Sequence, residues 1–166
     1  MQLIKYLWYF CKMKLDKENI DFENSIAPWL GKTVKVTDYF LQEALKENDL
    51  DLTKEQLIVL KKLHDQDGLN QNELAFLTLR NKSSLTRLLV KMEQKNYIKR
   101  VQSELDKRIN EVYLTDEGKE IFQKTKPTIK HIITSVEKGI SVDEKQELIR
   151  VLKKIQTNLS ANPDHL

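Results

Sequence analysis

The chain has 166 residues, 40% of them hydrophobic and 32% charged, with four Gly, three Pro and a formal net charge of +3. That composition excludes a disordered or fibrous protein and leaves room for one helix-rich domain with a sizeable core, not comfortably for two. The net charge is too small to name a polyanionic partner by itself, and a single cysteine, Cys11, excludes an internal disulfide framework and fits a reducing cytoplasm.

From the amino end, Leu3 to Cys11 is apolar and aromatic, but Lys5 interrupts it and it falls far short of the ~20 residues that span a bilayer. It also lacks the basic flank and small-residue cleavage site of a secretory signal. Met13 offers an alternative start, which would make residues 1–12 an upstream extension. With the polar stretch from Asp16 to Ser25, this gives an amino-terminal extension over residues 1–25. Leu30, Val34, Leu41 and Leu45 then trace a long helix from about Pro28 to Asn48.

Three capping boxes mark later helix starts: Thr53 with Gln56, Asn70 with Glu73, and Ser141 with Glu144. The first opens a helix with Leu57, Leu60, Leu63 and His64 on one stripe, closed by Gly68 where a left-handed residue is wanted. The second opens a short helix around Leu74 and Leu77. A third helix, from about Lys82 to Asn96 with Asn81 as its cap, places Leu85, Leu88, Leu89 and Met92 on a buried stripe and leaves a basic face opposite. After Tyr97 the period changes to that of strands, Ile98–Val101 and Arg108–Leu114, with a polar tip from Gln102 to Lys107. Thr115 caps a helix bearing Ile121, Phe122, Ile129, Ile132, Ile133 and Val136, kinked at Pro127 and ended by Gly139; the last helix presents Leu148, Val151, Leu152, Ile155 and Leu159.

Charge is unevenly spread along these elements. Between Arg80 and Arg108 nine Lys or Arg face three acids, so the segment is +6 and the remainder of the chain −3. A localised basic segment suits a phosphate backbone; on charge alone it is equally a solvated surface. The order of elements favours the first reading. Two helices joined by a tight turn, the second showing Lys82, Ser83, Ser84, Thr86, Arg87 and Lys91 opposite its apolar stripe, meet the requirement for reading a major groove about 12 Å wide. Arg87 is the candidate for a base contact. The hairpin tip carries Asp106, Lys107 and Arg108, with Arg108 as the candidate minor-groove cation and Asp106 as an acid that orients a nearby Arg. The Asp106 and Arg108 pair can also be an ordinary surface salt bridge.

Residues 69–100 (LNQNELAFLTLRNKSSLTRLLVKMEQKNYIKR) followed by 106–122 (DKRINEVYLTDEGKEIF) resemble the core of the MarR family of bacterial regulators, the wing pattern being met by Asp106, Arg108, Leu114, Thr115, Gly118 and Lys119. With the flanking helices the resemblance extends over about residues 27–160. It implies a mainly α fold with a small β-hairpin wing: a winged helix-turn-helix domain over 51–115, flanked by dimerisation helices over 26–50 and 116–160. It further implies a triangular homodimer on double-stranded DNA. Lys82, Ser83, Ser84, Thr86 and Arg87 would be recognition-helix contacts, and Arg108, supported by Asp106, the wing contact. A small-molecule effector would bind in a cleft between the dimerisation helices and the winged domain. Leu79 departs from the Gly that many relatives carry in the turn before the recognition helix.

Competing readings remain. The basic face can dock an acidic protein, and the apolar terminal helices can be the core of a monomer. Cys11 can be a redox sensor as in some relatives, but among Tyr6, Trp8, Tyr9 and Phe10 it reads as a buried or incidental thiol. His64, His131 and His165 lie far apart without metal-ligand spacing, so no metal or cofactor is expected. No phosphate loop, serine elbow or zinc-binding His pair points to an enzyme.

Overall fold

The computed structural model describes residues 21–104 and 106–160. The expectations for Cys11, for the extension before residue 21 and for His165 therefore lie outside the described residues. The chain divides into two compact units at Val36 and Thr37, inside the first helix.

That helix, α1, runs Ile26–Glu47 and starts two residues before the expected Pro28. In the first unit, Asp21 Oδ1 accepts from the backbone N–H of Asn24 at 3.0 Å, and the Trp29 indole N–H donates to the Glu23 carbonyl at 2.6 Å. The second unit continues with α2 (Lys54–Asp65), β1 (Leu69–Asn70), α3 (Gln71–Leu77), α4 (Lys82–Gln94), β2 (Ile98–Gln102), β3 (Asn110–Leu114), α5 (Asp116–Val136) and α6 (Val142–Ser160). The three strands form one antiparallel sheet in the order β1-β3-β2, with Leu69 opposite Val112 and Arg100 opposite Val112 from the other side. Two residues of strand carry no periodicity, so β1 has no signature in the sequence.

All three capping boxes form. In the first two, the Thr53 and Asn70 side chains accept from backbone N–H groups in the first turns of α2 and α3, and Gln56 and Glu73 reach back to the caps. In the third, Ser141 and Glu144 exchange the same pair of bonds ahead of α6. The stripes of α2, α3 and α4 meet the inner face of the sheet in one core, in which Leu45, Leu60, Leu74, Leu85, Leu89, Met92, Ile98 and Val112 are fully buried. Helix α5 continues unbroken in backbone structure through Pro127 and adds Ile121 and Phe122 to that core.

Three helices end in the same way. At Asp49, Leu79 and Asn96 the backbone is left-handed (φ 53°, 51° and 57°), and paired 6→1 and 5→2 hydrogen bonds close each turn: Leu50 N–H to Leu45 O and Asp49 N–H to Lys46 O, Arg80 N–H to Ala75 O and Leu79 N–H to Phe76 O, and Tyr97 N–H to Met92 O and Asn96 N–H to Glu93 O. Asp and Asn tolerate this conformation; a leucine pays about 1–2 kcal/mol for it. The Leu79 side chain is 82% exposed and recovers little by packing. Leu79→Gly is therefore expected to stabilise the fold by about 0.5–1 kcal/mol, partly offset by the looser unfolded chain; denaturant unfolding with an unchanged or lower midpoint would contradict this.

Gly68 plays a different part from the one expected. Helix α2 has already ended at Asp65, with Gln66 as its extended C-cap. Gly68 (φ 78°) instead turns the chain into β1, where its N–H donates to Val112 O at 3.1 Å and an added Cβ would sit 2.9 Å from the Tyr113 ring.

Candidate nucleic-acid interface

Helix α4 is fixed by its buried side. Asn81 Oδ1 accepts from Ser84 N–H at 2.8 Å and sets the first turn, while Leu85, Leu89 and Met92 anchor the helix in the core. That leaves Lys82, Ser83, Thr86, Arg87 and Lys91 exposed along the outer face, with Ser84 half-buried at its edge. Two hydroxyls on this face are already committed: Thr86 donates to the Lys82 carbonyl at 2.8 Å, and Ser84 Oγ accepts from the Arg80 guanidinium at 3.0 Å. Periodicity places a hydroxyl on a face and says nothing of its partner. An open groove of about 410 Å³ runs beside the helix, lined by Arg80, Ser84, Arg87, Leu88 and Lys91 with Thr53, Glu55 and Gln56.

The hairpin follows directly. Its second strand begins at Asn110, two residues after the expected Arg108, because residues 106–109 form a turn. Asp106 Oδ1 accepts from the Arg108 backbone N–H at 2.9 Å, and the Asp106 carbonyl accepts from Ile109 N–H at 2.9 Å. The acid thus shapes the backbone of the tip and leaves the Arg108 guanidinium to project from it, where an orienting contact to an Arg side chain was expected. Gln102 Nε2 donates to the Lys107 carbonyl at 2.5 Å across the same turn. Lys107 and Arg108 are both exposed.

Ion pairing sorts the nine basic residues of this region. Arg80 faces Glu55 at 3.6 Å, Lys95 pairs with Asp51 at 2.7 Å, and Arg100 pairs with Glu93 at 2.5 Å. Arg100 ties β2 to α4, and its hydrogen bond holds the Glu93 carboxyl below the usual glutamate range. A depressed carboxylate contributes its stabilisation above the unfolded-state value and loses it as pH falls through the folded one, so this tie weakens only on acidification. The other six, Lys82, Arg87, Lys91, Lys99, Lys107 and Arg108, have no acid within ion-pair distance among the described residues. Lys99, exposed on β2, is the one that sequence reasoning did not single out; alternation along a strand whose neighbours Ile98 and Arg100 turn inward is the signal that could have found it. One helix and one hairpin thus present cations that no acid among the described residues neutralises, the kind of charge a phosphate backbone attracts.

On another side, Leu41, Leu57, Ile58, Phe122, Ile129, Ile132 and Ile133 wall a cavity of about 730 Å³ rimmed by Lys61, Lys62, Lys126 and Lys130. Among the described residues no group of three His, Cys, Asp or Glu could hold a metal ion, and no helix is long and apolar enough to cross a membrane.

Residues 52–109 match the model of the MarR family. The HTH-type transcriptional regulator SarZ of Staphylococcus epidermidis is 35% identical over 125 residues, covering 74% of this chain and 77% of its own length. Of solved structures, MarR of Escherichia coli in its apo form is 26% identical with a TM-score of 0.66, over 79% of this chain and 96% of that one. BpsR of Bordetella bronchiseptica, whose DNA binding is regulated by 6-hydroxynicotinic acid, is 19% identical with a TM-score of 0.77, over 84% and 98%. The fold, the wing pattern and these similarities converge: the chain belongs to the MarR family of winged-helix, DNA-binding transcriptional regulators.

Proposed function

We propose that this protein is a homodimeric, effector-responsive repressor that occupies a pseudo-palindromic operator in the cytoplasm, with half-sites about one helical turn apart. The observation that carries this reading is the set of six cations on α4 and the wing that have no acid partner among the described residues. Lys82, Ser83, Thr86, Arg87 and Lys91 face the major groove, with Arg87 on a base edge, and Lys107 and Arg108 grip the backbone or minor groove from a tip that Asp106 holds in shape.

Dimerisation through α1, α5 and α6 is supported by the apolar side chains they leave in solvent: Tyr39 and Phe40 on α1, Ile133 and Val136 on α5, and Leu148 and Leu159 on α6 are each more than half exposed. Faces of this kind are covered in stable soluble proteins, and a second copy is the simplest cover. The lysine-rimmed cavity supports an effector with an apolar body and an anionic group. It releases DNA only if it binds the DNA-incompetent arrangement more tightly.

Arg87→Ala is expected to cost about 1–3 kcal/mol on the preferred duplex and to relax the preference at one base position per half-site. Equal loss on every duplex would demote Arg87 to a phosphate contact. Arg108→Ala is expected to weaken binding to all duplexes alike and to flatten the salt dependence by about one contact per protomer. An unaltered binding curve removes the wing from the reading.

A further inference from the structure

At two of the three left-handed helix ends the residue after the turn is apolar and buried, as this motif favours: Leu50 near Leu45, and Tyr97 near Met92. At the third the same slot holds Arg80. Its backbone N–H closes the turn on Ala75 O at 2.9 Å, while its side chain, 28% exposed, runs back over the groove beside α4. There Nη1 donates to Ser84 Oγ at 3.0 Å and Nη2 faces Glu55 Oε1 at 3.6 Å. Ser84 is tied at both ends, since its own N–H is held by the Asn81 cap. A planar guanidinium with several donors can bridge an acid and a hydroxyl at once; an ammonium on a flexible stem does so poorly.

We propose that Arg80 is a positioning residue for DNA recognition: through Ser84 and Glu55 it fixes the angle of α4 to the first turn of α2, and Ser84 serves this bridge instead of reading DNA. The inference rests on the DNA-reading role of α4. Three elements meet at this one residue, the end of α3 through its backbone N–H and the first turns of α4 and α2 through its guanidinium, and all three contacts lie at the start of α4. A small tilt there is magnified along the helix, so the base edges are misread while the phosphates are still reached. The left-handed Leu79 immediately before Arg80 makes the bridge more needed, because the turn itself is strained.

The test compares wild type with Arg80→Lys, Arg80→Ala, Ser84→Ala and the Arg80→Ala/Ser84→Ala double variant. The probes are a duplex selected by the wild-type protein from a random-sequence library and a scrambled duplex of equal length, each measured across a salt series. The expected result is that Arg80→Ala and Ser84→Ala each reduce the ratio of selected to scrambled affinity by on the order of tenfold, that the double variant loses no more than either single one, and that the slope against salt is unchanged. Arg80→Lys keeps the charge and still loses discrimination. Three outcomes overturn the proposal. A slope reduced by about one contact per protomer makes Arg80 a phosphate ligand. Additive losses in the double variant separate Ser84 from Arg80. A lower melting temperature with an unmoved affinity ratio in Arg80→Lys reduces the bridge to a stability element. If wild type selects no duplex from the library, the DNA-reading role of α4 fails first, and that result is distinct from the other three.

Discussion

Gly118→Ala is expected to destabilise the protein by about 3 kcal/mol even though alanine is the better helix former. An added Cβ would lie 1.9 Å from the Tyr97 carbonyl oxygen and 2.9 Å from its carbonyl carbon. These are backbone atoms, so no rotamer change relieves the clash, and the start of α5 must lift from the chain that joins α4 to β2. The same place is held by Thr115, whose N–H donates to Tyr97 O at 3.2 Å and whose hydroxyl donates to Asn96 O at 2.5 Å while accepting from Gly118 N–H at 3.0 Å. The helix-propensity gain of about 1 kcal/mol does not offset the separation of these bonds. Thermal unfolding is the measurement: a melting temperature lower by about 10 °C is expected, and an equal or higher one would show that the approach of α5 to Tyr97 is looser than these distances state.

The second large effect concerns binding. Affinity for a selected duplex is expected to fall by on the order of a thousandfold between about 50 and about 200 mM monovalent salt, a log-log slope near −5. Each protomer carries six cations without an acid partner among the described residues, and half of the resulting twelve in a dimer suffice for that slope. Filter binding or fluorescence anisotropy over a salt series gives the slope directly. A slope near zero would favour the competing reading in which the basic face docks an acidic protein.

The sequence made the helices legible because their ends are written in side chains that perform the capping themselves, as at Thr53, Asn70 and Asn81. The apolar stripe of α4 was equally plain, since Leu85, Leu89 and Met92 recur at helical spacing and are buried. What escaped was tertiary. Strand β1 is two residues long and exists only because Val112 and Glu111 on β3 pair with it. Arg80 reads as one more cation in a basic run, and only folding shows its guanidinium on Ser84 and Glu55. The spacing of Asp106 and Arg108 suggested paired side chains, whereas the carboxylate holds a backbone N–H; a two-residue offset allows either, and local turn geometry decides. Leu79 stood out only against the family resemblance, as a departure from the Gly that many relatives carry there, and the structure supplies its cost in backbone conformation.

The seam at Asn96, Tyr97, Thr115 and Gly118 also has a mechanical meaning. Because the start of α5 is stitched to the loop leaving α4 with no side chain between the two backbones, that first turn cannot shift without carrying Tyr97, and with it the junction of α4 and β2, along.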